Sequence, residues 1–351
     1  MAKKSKKKLG RWLAVTAFAA TIVFAIFAYN IYGDVQKPNI DLRGRKSAYL
    51  YVRTGCMYAD VVKMLKDSNF VVDIESFDWV ARQKNYPQLV KAGRFKIRNG
   101  MSNNQLINML RSGAQDPVKV TISKSRSIMK IAEAIAAKIE VDEAELYMLL
   151  NDNAFLSKYG KTRETAFTFF IPDTYYFNWN TNARQFLERM NDEAVKFWDV
   201  ERLNKAKAIN LTPSEVYTLA SIVEEETLKN DEKPDVAGVY LNRLRIGMPL
   251  QADPTVKFAV GDFEIKRILN KHLAIESPYN TYKHKGLPPG PICTPSKSSI
   301  DAVLNYHKHK YLYFCAKDDF SGYHAFARNL IEHNANAEKY RKALNKNKIY
   351  R

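Results

Sequence analysis

From Trp12 to Tyr32 the chain carries no charged residue (WLAVTAFAATIVFAIFAYNIY). A helix of this length is about long enough to cross the hydrocarbon layer of a bilayer, where each backbone polar group must be bonded internally. Lys3, Lys4, Lys6, Lys7, Lys8 and Arg11 precede it without an intervening acid, and Trp12, Tyr29 and Tyr32 stand near its two ends, as interfacial aromatics do. A cleaved signal peptide has a shorter apolar run closed by small residues, whereas Tyr29-Asn30-Ile31-Tyr32 follows here, so a retained anchor is expected. Basic flanks stay in the cytoplasm, which puts everything after Gly33 outside.

The 351 residues, 26% of them charged, suffice for one large domain or two to three smaller ones and argue against wholesale disorder. A net charge of +18, only part of it from the basic start, attracts polyanions: nucleic acid, anionic lipid or acidic wall polymers. The anchor counts against nucleic acid. Cys56, Cys293 and Cys315 are an odd number without metal-ligand spacing, so no disulfide and no function are assigned to them. No histidine pair has metal spacing either; no metal or other cofactor is expected.

The coarse pattern is α+β. A basic tail (1–11), the transmembrane anchor (12–32) and a polar linker (33–47) lead into a small α+β module (48–122), and a larger mixed α+β domain follows (123–351). In the module, alternation predicts strands at 48–53, 93–97 and 118–122, with helices at 58–67, at 76–83 and from the Ser102 cap to Gly113. Further helices are expected from Ser127, over 142–150, over 183–206, over 234–245, from Asp253 as a cap, over 299–306 and from Asn329, with a hairpin of 311–316 and 324–327. Phe169 to Phe177 is an aromatic strip that could stack on sugar rings, although its composition reads better as core. His324 is expected to be a hydrogen-bonded structural histidine.

Chemistry concentrates in Leu211 to Thr227 (LTPSEVYTLASIVEEET). Thr212, Pro213 and Glu215 form a capping-box start, so a helix begins with a defined phase. At 100° per residue, Val216, Leu219, Ala220, Val223 and Thr227 make its buried arc, with Glu225 opposite and Glu224 and Glu226 on the two flanks. A half-dried carboxyl has a raised pKa and can hold a proton near neutral pH, as a general acid must. The competing interpretation is a solvated acidic patch. Asp253 could pair with Glu224 in a glycosidase-like arrangement, and the proline- and glycine-rich stretch from Tyr279 to Pro295 suits a cleft wall.

LASIVEEET, VYLNRLRIGMPLQADPTV, SPYNTY, GLPPGPI and YLYFCA with GYHAFA and a late EHN, in this order and spacing, closely resemble the endolytic lytic transglycosylases of the MltG (YceG-like) family. The resemblance covers roughly residues 91–343. It implies a membrane-anchored enzyme that cuts the β-1,4 bond between N-acetylmuramic acid and N-acetylglucosamine in nascent peptidoglycan and leaves a 1,6-anhydromuramoyl end. It implies a LysM-like character for the small module and peptidoglycan strands as substrate, with penicillin-binding proteins as possible neighbours. It puts the catalytic glutamate at Glu224 and a second acid at Glu226, a choice the helix wheel leaves open, and makes Gln251, Asp253, Tyr279, Asn280 and Tyr282 candidates for holding the sugar. Glu225 stands where the family usually has lysine, and Cys293 where a small aliphatic is usual. A tethered scaffold that binds peptidoglycan without cutting it is the alternative.

Overall fold

The structure is a computed structural model; it describes residues 2–265 and 268–347, with side chains from Arg11 onward. The chain divides into two compact units, residues 1–118 with 177–180, and residues 119–176 with 181–351.

The first unit begins with helix α1 (Ala2–Gln36), whose Arg11–Gln36 portion is long and apolar enough to cross a membrane and has none of its apolar window buried. Then come β1 (Ser47–Val52), α2 (Tyr58–Ser68), α3 (Ile74–Gln83), β2 (Gly93–Arg98) and α4 (Asn103–Ser112). β1 and β2 pair antiparallel, Ser47 opposite Arg98 through Val52 opposite Gly93. Asp73 caps α3, while α4 runs from the Ser102–Gln105 capping box to Gly113 in the left-handed region at φ +73°. Leu50, Val52, Val61, Leu65, Phe77, Phe95, Ile97 and Leu106 close one apolar core between the sheet and the helices.

Residues 33–47 do not form the expected free linker. α1 continues to Gln36, and the segment after it packs into the unit, with Ile40 and Leu42 in the core. The buried Asn39 donates to the Asp73 carbonyl (2.7 Å) and to Asn103 Oδ1 (2.8 Å) and accepts from the Asp73 N–H (2.8 Å); Asn103 in turn donates to the Asp34 carbonyl (2.9 Å). A polar composition looked like a tether because these amides bond inward.

The second unit contains β3 (Val118–Ile122), α5 (Ile128–Ala136), α6 (Glu143–Leu149), α7 (Asn153–Leu156), β4 (Asp173–Phe177), α8 (Ala183–Phe197), α9 (Val200–Ala208) and α10 (Pro213–Glu226). It continues with α11 (Lys233–Arg245), α12 (Asp253–Val260), α13 (Asn270–Leu273), α14 (Lys297–Leu304), β5 (Tyr313–Ala316), β6 (His324–Ala327) and α15 (Leu330–Lys346). β3, expected within the small module, pairs instead with β4. The single helix expected over 183–206 is two, because Trp198 leaves helical geometry and Asp199 caps a new start by accepting from the Arg202 N–H. β5 and β6 make the expected antiparallel hairpin. Phe169, Phe170 and Ile171 are fully buried and Tyr217 Oη donates to the Phe167 and Phe170 carbonyls (3.0 and 2.6 Å), so the aromatic strip is core.

α10 is the axis of this unit. Thr212 Oγ1 accepts from the Glu215 N–H (3.2 Å) and the Glu215 carboxylate accepts from the Thr212 N–H (2.7 Å), as the capping box requires. Every residue from Val216 to Val223 is buried, Tyr217, Thr218 and Ser221 included. Between Val216 and Val223 the helix therefore has no solvent face, and the one-sided arc expected from its periodicity is only part of what it buries.

Candidate active site

Glu224, Glu225 and Glu226 close α10, and three successive helical residues point in three directions. Each carboxylate accordingly meets a different neighbourhood, and the three differ in chemistry.

Glu224 is tied down by one oxygen. Its Oε2 accepts from Ser296 Oγ (2.5 Å), Ser299 Oγ (2.5 Å), the Ser296 N–H (3.2 Å) and Lys233 Nζ (3.1 Å), whose side chain is 4% exposed. Ser296 is also the N-cap of α14, so the carboxylate sits at the positive end of that helix. Burial pushes its pKa up, but the hydroxyl and ammonium hydrogen bonds and the Lys233 charge outweigh it and hold the carboxyl below its ordinary range. This corrects the expectation of a raised pKa at Glu224: it is an ionised anchor at neutral pH. Glu225, expected to face solvent opposite the apolar arc, is 7% exposed at its side chain and pairs with Lys124 (2.9 Å) and Arg126. Burial is again outweighed, here by the two cations, and its pKa is lowered.

Glu226 differs. It has no cation within ion-pairing distance, keeps part of its surface open, and receives one hydrogen bond, from Tyr240 Oη on α11 (2.7 Å). Burial raises its pKa to about 7; the Tyr240 bond and Lys257 oppose this, while the negative charges of Asp253 and Glu225 add to it. Of the three, only this carboxyl holds a substantial protonated fraction at neutral pH.

Asp253 and Tyr282 line the same neighbourhood. Asp253 is the first helical residue of α12 and not its cap, which is Ala252. Its Oδ1 is thereby free to accept from Tyr282 Oη (2.6 Å), and its charge acts on Glu226 instead of pairing with Glu224. The exposed Gln251 has φ +49°, a left-handed conformation uncommon for a residue with a side chain, and its N–H donates to the Thr281 carbonyl (3.1 Å). The buried Thr281 accepts from the Ala252 N–H (3.0 Å) and meets Thr255 Oγ1 (2.8 Å), which staples the two segments together. Tyr279 packs against Phe258 with ring centres 4.7 Å apart and planes tilted by 48°, and burial lifts its pKa to about 12.

Asn280 is not available to a ligand. It is fully buried, donates to the Leu273 and Ile275 carbonyls (both 2.9 Å) and accepts from the Tyr282 N–H (3.1 Å), so it shapes the loop. Nor is residues 290–295 an open cleft wall: the segment is buried, with the Ile292 N–H bonded to Ser221 Oγ (3.0 Å) and the Thr294 N–H to the Ser125 carbonyl (2.9 Å). A side chain at position 290 would start 2.0 Å from the Glu164 carbonyl oxygen, which explains its glycine. The segment's task is to deliver Ser296 to Glu224. His324 is structural as expected, its Nδ1 2.8 Å from the buried Glu232, which also accepts from Thr227 Oγ1 (2.9 Å) just past α10.

Sequence reasoning overlooked Tyr240, counted among the apolar positions of its helix, and the Lys233, Ser296 and Ser299 nest. The only available signal was the cap-like serine pair before α14. A cavity of about 390 Å³ at the other end of α10, lined by Lys161, Thr168, Trp198 and Ser214 among others, has no carboxyl in its lining.

The α+β unit thus carries at the end of its central helix one carboxyl, Glu226, without a cationic partner, and the first helix of the chain is long and apolar enough to cross a membrane. The chain belongs to the YceG-like family, whose profile matches residues 50–339. It is 29% identical over 326 residues to an endolytic murein transglycosylase of Bacillus subtilis, covering 88% of this chain and 89% of that protein. It is 29% identical to the endolytic murein transglycosylase of Streptococcus pneumoniae D39, covering 90% of this chain and 62% of that longer protein. The crystal structure of a YceG-like protein from Listeria monocytogenes superposes with a TM-score of 0.56 at 27% identity, covering 83% of this chain and 98% of that one.

Proposed function

We propose that this protein is a membrane-anchored peptidoglycan lytic transglycosylase that cuts glycan strands internally, with Glu226 as its acid and base. The observation that carries the assignment is a largely buried carboxyl without a cationic partner, its pKa raised by burial to about 7, held by the Tyr240 hydroxyl at the end of the central helix. Protonated Glu226 gives its proton to the glycosidic oxygen as the C1–O4 bond between N-acetylmuramic acid and N-acetylglucosamine breaks. The carboxylate so formed takes the proton of the muramic acid C6 hydroxyl as that oxygen bonds to C1, closing the 1,6-anhydro ring. One carboxyl serves both steps without a water nucleophile, so the spaced pair of carboxylates used by glycoside hydrolases is not needed.

Gln251, Asp253, Tyr279 and Tyr282 are assigned to the sugar, and the Asp253 carboxylate also faces the positive charge that grows at C1. Glu224, whose acid role the family resemblance implied, is assigned to anchoring. The strand–helix–helix–strand order of the first unit, around one antiparallel pair, supports a LysM-like glycan-holding role. The basic start before α1 supports a cytoplasmic N-terminus, a wall-side catalytic unit and work beside the penicillin-binding proteins that extend new strands.

Mass spectrometry of a peptidoglycan digest tests the reaction directly. Anhydro-ended internal fragments are expected; fragments that have gained water would sink the lyase assignment, and bound but uncut strands would sink the enzyme. The reaction should also lose rate about tenfold per pH unit above roughly pH 7, as Glu226 ionises. Asp253→Asn removes a charge that raises the Glu226 pKa, so this alkaline limb should move to lower pH by several tenths of a unit or more; an upward move would contradict the assignment.

A further inference from the structure

We propose that Arg243 is a positioning residue for the reaction: it supplies a permanent positive charge behind the Tyr240–Glu226 pair and holds the 249–251 turn that presents Gln251 and Asp253. Arg243 follows Tyr240 by three residues on α11, so the two side chains share a face. It is 7% exposed. Its Nε donates to the Leu312 carbonyl (2.6 Å), and its Nη1 to the carbonyls of Pro249 (3.2 Å) and Leu250 (2.8 Å) and to Gln251 Oε1 (3.4 Å). The guanidinium lies 5.1 Å from the centre of the Tyr313 ring.

Among the described residues no carboxylate lies within ion-pairing distance of this cation. A buried guanidinium satisfied only by neutral oxygens is costly, and burial lowers its own pKa. Two features of the site account for its presence. The turn it grips contains the left-handed Gln251, a conformation that persists only where surrounding bonds enforce it. The second is electrostatic. When Glu226 gives up its proton, a negative charge appears in a place faced by Tyr240 and Arg243 from α11, Asp253 and Lys257 from α12, Tyr282 from the following loop and Glu225 from α10. Two of these groups are anions, and Lys257 is the other cation. Arg243 favours the ionised Glu226, directly and through Tyr240, whose hydroxyl it also makes more acidic.

The inference rests on Glu226 being the acid. Its test is the pH profile of kcat/KM for anhydro-ended product, measured on the full chain in detergent with peptidoglycan strands. In Arg243→Gln the alkaline limb should move up by several tenths of a pH unit, and the plateau kcat should fall on the order of tenfold. Arg243→Lys keeps the charge and loses the fork, so its limb should stay near that of the wild type while KM rises. A limb unmoved in Arg243→Gln, or moved as far in Arg243→Lys as in Arg243→Gln, overturns the inference. Arg243→Met is a second uncharged variant that fills the same volume without buried polar hydrogens. If neither uncharged variant folds, the lysine variant decides alone: a limb displaced upward by several tenths of a pH unit refutes the charge role, and an undisplaced limb with raised KM supports it. An active Glu226→Gln would instead bring down the underlying assignment. An inactive Glu226→Gln with unchanged Arg243 profiles would bring down only this inference.

Discussion

Glu226→Gln should leave a folded protein whose release of anhydro-ended product is lower than wild type by about a thousandfold, within the range expected for removing a general acid. Glutamine can still accept the Tyr240 hydrogen bond, so the loss would be one of proton transfer and not of geometry. The same variant should be more stable than wild type at alkaline pH. The pKa of Glu226 is raised in the folded state, so its contribution to stability is full below the unfolded carboxyl's pKa and is lost as pH rises through about 7. Glutamine has no proton to lose there. By pH 8 the variant should gain on the order of 2–3 kcal/mol in urea unfolding, and the gap should close toward pH 5. Equal stability of the two proteins at pH 8, or wild-type turnover by the variant, would rule out a half-dried acid at this position.

Glu224→Gln should have the complementary effect. It leaves Lys233 Nζ buried without its carboxylate and weakens the bonds that join the end of α10 to the start of α14. Removing one partner of a buried pair costs several kcal/mol; with Ser296 and Ser298 still beside the ammonium, a loss of about 2–4 kcal/mol is expected at pH 7. Here the folded pKa is depressed, so the stabilisation is present above the unfolded carboxyl's pKa and disappears as pH falls through the folded value. The difference between wild type and variant should therefore vanish in acid. Where the variant remains folded it should still turn over substrate. A stable but inactive Glu224→Gln would return the acid role to Glu224.

The contrast between these two glutamates marks the limit of what could be read from the chain alone. Several helix starts were legible because a side chain closes a local hydrogen bond: Ser102, Ser127, Asp142, Thr212 and Asn329 each cap the helix expected from them. The β1–β2 strands and the β5–β6 hairpin were legible from alternation and turns. What escaped depends on distant partners. Glu225 is paired with Lys124 and Arg126, about a hundred positions earlier, and Glu224, beside Lys233, is hydrogen-bonded by serines more than seventy positions later. A helical wheel gives the direction of a side chain but not what stands there. The wheel also assumed a wet side that the middle of α10 lacks, and it is silent on Tyr240 of α11, whose hydroxyl donates to Glu226. The break at Trp198 and Asp199 was masked by an apolar stripe that continues across it.

α1 passes into the first unit without slack, because Asp34, Asn39, Asp73 and Asn103 are bonded to one another. With Trp12 to Tyr32 in a bilayer, Gln36 lies only about 6 Å farther along the axis, at 1.5 Å per residue. The first unit is therefore mounted on a short post, with no free tether between it and the apolar helix.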